Sequence, residues 1–108
     1  MSSRISAIMF ERVYEIILER KQSSKDNSYV ATLMGKGIDP ILKKIGEEST
    51  EVILAVKNEN RKEQIHEITD LWFHMLVLMG HQGITLNEIS QELEDRLGQS
   101  GLEKKAQR

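Results

Sequence analysis

The chain contains no cysteine, which excludes disulfides, thiolate zinc sites and cysteine nucleophiles and is compatible with a reducing compartment. Its single proline leaves little to interrupt helices, and β-branched residues do not cluster as they do in strands. Neither sign of charge dominates: 15 Lys and Arg against 17 Asp and Glu give a formal net charge of -2. That balance offers no broad electrostatic footprint for nucleic acid or an anionic membrane, so any anionic ligand must be handled locally. No apolar run approaches the roughly 20 residues that span a bilayer. The opening MSSRISAIMFERVYE lacks both a sustained apolar stretch and a small-residue cleavage site, so no secretion signal is read and a cytoplasmic location is expected. There is no internal repeat.

What is present suits one compact domain of 108 residues, 39% hydrophobic and 30% charged. Apolar residues recur at three- and four-residue spacing, which predicts an all-α protein of about five helices. The first is expected from about Ser6 to Gln22, with Ile8 or Met9, Val13 and Ile16 or Ile17 facing inward and Glu11, Arg12, Glu15 and Glu19 outward. SSKDNS breaks it. A short helix, Tyr29 to Met34, is capped by Ser28 and stopped at Gly35, and GKG at 35–37 forms a flexible, locally basic connection. Asp39-Pro40 signals the start of a third helix running to about Lys57. Asn60 with Glu63 opens a fourth, reaching about Gly80. Thr85 with Glu88, flanked by Ile84 and Ile89, supplies a capping box and staple for a fifth, ending near Leu97. The domain is expected to span 1–97, and the tail 98–108, with too few apolar residues to pack, is expected to be mobile.

Acidic residues intrude where apolar ones belong. At about 100° per residue, Ile41, Ile45, Val52 and Val56 fall in one stripe of the third helix. Glu48 lies within that stripe, with Glu51 and then Glu47 progressively off its edge. The fourth helix is apolar almost all round after Thr69, and its one polar strip carries Glu67, Asp70, His74 and His81. Packed as antiparallel neighbours, the two helices can turn EExxE toward ExxD. Clustered carboxylates withdrawn from water repel one another and cost several kcal/mol each after relaxation, so something must neutralise them. A hard divalent cation does so economically, because carboxylate oxygens suit Mg²⁺ or Mn²⁺.

Blander readings stand beside this one. Glu47, Glu51, Glu67 and Asp70 could be solvated helix charges, and His74 is read as a structural or supporting histidine before a ligand. His66 and His81 are read as surface residues. Glu63-Gln-Ile-His66 matches the ExxH element of di-iron bundles, but no second copy exists. Met9, Met34, Met75 and Met79 serve as adaptable core or dimer packing, with Trp72 an anchor in the same interface. Lys43, Lys44, Lys57, Arg61 and Lys62 are read as solvated faces, although several of them flank the acidic cluster and could reach phosphate oxygens.

SYVATLMGKGIDPILKKIGEESTEVILA followed by EITDLWFHMLVLM resembles the phosphoribosyl-ATP pyrophosphohydrolase family of histidine biosynthesis, within the all-α, MazG-like nucleotide pyrophosphatases. The likeness runs from about Phe10 to Leu97. It implies hydrolysis of the α-β phosphoanhydride of phosphoribosyl-ATP, with Mg²⁺ on Glu48, Glu51, Glu67 and Asp70. It also implies Glu47 as a further ligand or an orienter of the attacking water, so that Glu47 and Glu48 are the catalytic candidates. Lys44 is the first candidate for a phosphate contact, followed by Lys36 and Lys43, and Ser28 and Tyr29 line the substrate site by similarity. Trp72 stands where many relatives carry tyrosine. The resemblance further implies a helical bundle completed by homodimerisation, with sites near the subunit interface; with 108 residues and no cysteine, no fused cyclohydrolase is expected. Competing expectations are a pyrophosphatase acting on noncanonical nucleotides and a non-catalytic helical dimerisation module.

Overall fold

A computed structural model describes residues 2–22 and 28–98. Among these the chain forms five helices and no strand: α1 (Ser2–Gln22), α2 (Tyr29–Gly35), α3 (Ile38–Lys57), α4 (Arg61–Gln82) and α5 (Leu86–Gly98). The expected break at SSKDNS and the tail beyond Gly98 fall largely or wholly outside the described residues.

Local chemistry accounts for most boundaries. The Ser28 hydroxyl accepts from the Ala31 amide at 3.3 Å to start α2. Asn60 Oδ1 accepts from the Glu63 amide at 3.0 Å to start α4. The box at α5 is fully reciprocal: the Thr85 amide donates to Glu88 Oε1 at 2.8 Å, and the Glu88 amide to Thr85 Oγ1 at 3.1 Å. The third helix departs from expectation. Gly37, at φ 95°, is the residue before it, and no side chain caps it. Only glycine takes that conformation cheaply, so the chain turns into the helix ahead of Asp39. Asp39 instead lies in the first turn, where a negative charge complements the helix dipole. Pro40 still falls among the first four positions, whose N–H groups have no helical partner.

The core is small and built from four helices. Tyr14 and Ile17 of α1, Val30 and Leu33 of α2, Ile41 of α3, and Leu76, Val77 and Met79 of α4 are buried together. Ile17, Ile41 and Val77 are almost fully enclosed. The inward stripe of α1 is therefore Phe10, Val13, Tyr14 and Ile17, whereas Ile8, Met9 and Ile16 are exposed. In α3 the buried line runs through Ile41, Glu48 and Ala55, and Val56 faces out, because α3 packs on α4 along a line slightly rotated from the most apolar arc. A Cβ added at Gly80 would lie 3.1 Å from Ile17 Cγ2 and 3.3 Å from Met34 Cε, so this glycine lets α1, α2 and α4 converge. Two bonds tie α1 further: Lys21 Nζ donates to the Gly80 carbonyl at 2.8 Å, and the Tyr14 hydroxyl donates to the Ile84 carbonyl.

Candidate metal centre

The α3–α4 hairpin positions the acidic residues. Its connection is only Asn58–Asn60, closed by Glu59 at φ 57° and by the Asn60 amide donating to the Ala55 carbonyl at 3.3 Å. Glu48 and Asp70 are equally far along the chain from Glu59, and so are Glu51 and Glu67. A tight hairpin with that symmetry sets each pair side by side on neighbouring helices. Oxygens of Glu48, Glu67 and Asp70 all lie within 4.8 Å of one another. Glu48 is buried at 8% exposure, while Glu67 and Asp70 are half-buried. Glu51 is exposed and outside this trio.

Little in the protein offsets the charge. Lys44 Nζ lies 3.6 Å from Glu48 Oε1 and 3.8 Å from Glu47 Oε1. His66 Nε2 lies 3.3 Å from Asp70 Oδ2, on an exposed flank of α4. His74 Nδ1 is 3.9 Å from Glu48 Oε1, but it also lies 2.9 Å from the Asp70 carbonyl, which can only accept. Nδ1–H therefore donates to that carbonyl, and Nε2 is hydrogen-bonded to the Tyr29 hydroxyl at 2.8 Å. With Nδ1–H directed at the carbonyl, the 3.9 Å approach to Glu48 is no hydrogen bond. The Glu67 carboxyl is raised above its ordinary range, first by desolvation and further by Glu48, Glu51 and Asp70, with His66 acting in the opposite sense. A carboxyl held up by its neighbours marks a site with more negative charge than its surroundings neutralise.

Three converging hard oxygens with surplus negative charge fit a divalent cation of the Mg²⁺ or Mn²⁺ type. Glu47 is exposed one residue before Glu48 and shares Lys44 with it. Lys44 thus sits among the carboxylates. Burial lowers its pKa, but Tyr29, Glu48 and Glu47 outweigh this and raise it, so the ammonium is held charged. Lys36, at the end of α2, and Lys43 lie exposed. Ser28 is buried as the α2 cap, and Tyr29 stands half-exposed beside His74. The link from Tyr29 through His74 to the Asp70 carbonyl was not legible in the sequence; the fourfold spacing of Asp70 and His74 was its only trace.

Facing carboxylates across a helical hairpin, in a small all-α protein, define a class able to hold a divalent ion, and such ions assist phosphate-anhydride hydrolysis. Residues 10–97 match the model of the family described as phosphoribosyl-ATP pyrophosphohydrolase. A phosphoribosyl-ATP pyrophosphatase of Geobacter metallireducens is 51% identical over 93% of this chain and 92% of its own length. One from Leuconostoc mesenteroides is 52% identical over 85% of this chain and 80% of its own. The chain belongs to the phosphoribosyl-ATP pyrophosphohydrolase family.

Proposed function

We propose that this protein hydrolyses the α-β phosphoanhydride of N1-(5-phosphoribosyl)-ATP to phosphoribosyl-AMP and pyrophosphate, the second step of L-histidine biosynthesis, in the cytoplasm. The observation that carries this reading is the convergence of Glu48, Glu67 and Asp70 within 4.8 Å, in a chain half identical to phosphoribosyl-ATP pyrophosphatases. Residues 1–97 form the catalytic domain.

Glu48, Glu67 and Asp70, joined by Glu51, would hold Mg²⁺, with Mn²⁺ able to substitute. Such an ion would supply Lewis-acid chemistry to the phosphoanhydride and offset the charge of the carboxylates and the substrate. In the reaction a water oxygen bonds to phosphorus as the bridging P–O bond breaks, and the electron pair leaves with pyrophosphate. Glu47, exposed at the edge of the trio, orients that water and takes its proton. Glu48, buried on the Ile41 side of the site, fixes the inner wall. Lys44 exchanges its carboxylate contacts for a phosphate oxygen, and the exposed Lys36 and Lys43 reach the outer phosphates.

The working unit is a homodimer with sites near the subunit interface. An open groove of about 230 Å³ between α1 and α4 is lined by Met9, Phe10, Val13, Thr69, Trp72, Phe73 and Leu76. Along its margins Ile8, Met9, Ile65, Ile68, Trp72 and Met75 are exposed. A monomer of this size rarely leaves so continuous an apolar face in water, and a second copy is the partner that covers it.

The test is pyrophosphate release with Mg²⁺ from phosphoribosyl-ATP and from a panel of canonical and noncanonical NTPs. Turnover of phosphoribosyl-ATP is expected, falling at least about 100-fold in Glu48→Gln and Asp70→Asn with the fold intact. Release from the NTP panel alone would assign a nucleotide-sanitising role instead. No pyrophosphate release from any of these substrates by the folded protein would leave only a dimerisation module, and turnover unchanged in both variants would remove the carboxylates from the mechanism.

A further inference from the structure

Tyr29 is the one aromatic side chain whose hydroxyl bonds directly to a residue touching the carboxylate site among the described residues. Its hydroxyl is hydrogen-bonded to His74 Nε2 at 2.8 Å, and His74 in turn donates from Nδ1 to the carbonyl of Asp70. His74 is 5% exposed, and a buried imidazole needs both nitrogens satisfied. Asp70 satisfies one. Any hydroxyl could satisfy the other, but a tyrosine adds a ring, and here the ring is 52% exposed.

The ring is also held at a fixed angle. Phe73 lies beside it with centroids 6.4 Å apart and planes 28° apart, and His74 meets it edge-on at 5.8 Å and 87°. These contacts leave ring surface that no described protein group covers. The phenol is close enough to Lys44, Glu48, Asp70 and Glu47 for each to influence its ionisation, beyond the larger effect of desolvation. An exposed aromatic fixed by a buried histidine, on the rim of a phosphate-handling site, is placed for a ligand rather than for the core. In an adenine nucleotide the base lies one sugar from the α-phosphate. Tyr29 lies one imidazole from the carboxylates.

We propose that the Tyr29 ring, positioned by His74, is the surface on which the adenine of the substrate stacks. This rests on the functional reading above. Stacking on an exposed π-face tolerates small shifts of the base but is lost when the ring is removed.

The test titrates AMP and inorganic pyrophosphate separately, with Mg²⁺, into wild-type protein, Tyr29→Leu and Tyr29→Trp, alongside phosphoribosyl-ATP kinetics and thermal melts. Tyr29→Leu is expected to weaken AMP by about tenfold or more and leave pyrophosphate unchanged, the loss expected for an aromatic–base stack. It should raise KM more than it lowers kcat, while Tyr29→Trp restores AMP binding. Unchanged AMP affinity in a folded Tyr29→Leu protein, equal losses for AMP and pyrophosphate, or failure of Tyr29→Trp to recover AMP would overturn the assignment. Failure of the wild-type enzyme to turn over phosphoribosyl-ATP would instead remove the functional reading itself, and the stacking role with it.

Discussion

Glu48 is where folding and chemistry pull in opposite directions. It occupies a core position of α3, costs several kcal/mol to bury as a charge, and is met by one ammonium at 3.6 Å. Glu67 shows the same tension at the rim. Its folded pKa is raised, chiefly by desolvation and then by the three carboxylates nearby, so without metal the native state keeps a proton that the unfolded chain releases in the ordinary glutamate range. For this group stability is greater at lower pH and is lost as pH rises through the raised folded value. The stability difference between wild-type and Glu67→Gln, from urea melts in EDTA, should therefore shift against wild-type as pH rises above the ordinary glutamate range. Saturating Mg²⁺ should abolish that shift; a difference moving in favour of wild-type with EDTA would contradict the assignment. At this scale the sequence was informative about Glu48, because a carboxylate inside an apolar stripe has few explanations. It was silent about the hydroxyl partners of Tyr14 and Tyr29, which lie far along the chain.

Among the elements, the α3–α4 hairpin determines the site, and its turn determines the hairpin. Glu59 adopts the left-handed region without being glycine, a cost of roughly 1–2 kcal/mol. Glu59→Gly should raise the unfolding free energy by about 0.5–1 kcal/mol, after allowing for glycine's greater freedom in the unfolded chain. Chemical denaturation checks this, and a loss of stability would show that the Glu59 side chain holds the turn. Helix ends were mostly readable, since Ser28, Asn60 and the Thr85–Glu88 pair each cap as their chemistry dictates. Asp39 misled because it is an equally good first-turn residue, and only the backbone at Gly37 separates the two roles. The buried line of α3 was displaced onto Ala55 because periodicity locates an apolar arc and not the partner's position within it.

For the whole molecule, the apolar face on α1 and α4 and the apolar edge of α5 remain open. No residue of α5 is buried, although Ile89, Leu93 and Leu97 align along one side of it. The all-round apolar sequence of α4 gave warning of this: one four-helix core cannot enclose Trp72 at 53% exposure together with Ile65 and Met75. Trp72→Glu should convert a dimer to a monomer in sedimentation velocity, weakening association by at least about 2 kcal/mol, as loss of a central aromatic anchor does. A monomeric wild-type protein would refute the dimer.

The central claim is that α3 and α4 face one another across a divalent ion. Anomalous scattering from a Mn²⁺-soaked crystal locates that ion directly. One or more peaks are expected between Glu48, Glu67 and Asp70, about 2.0–2.2 Å from their carboxylate oxygens. Fully active crystals with manganese density elsewhere, and none among these three residues, would contradict it.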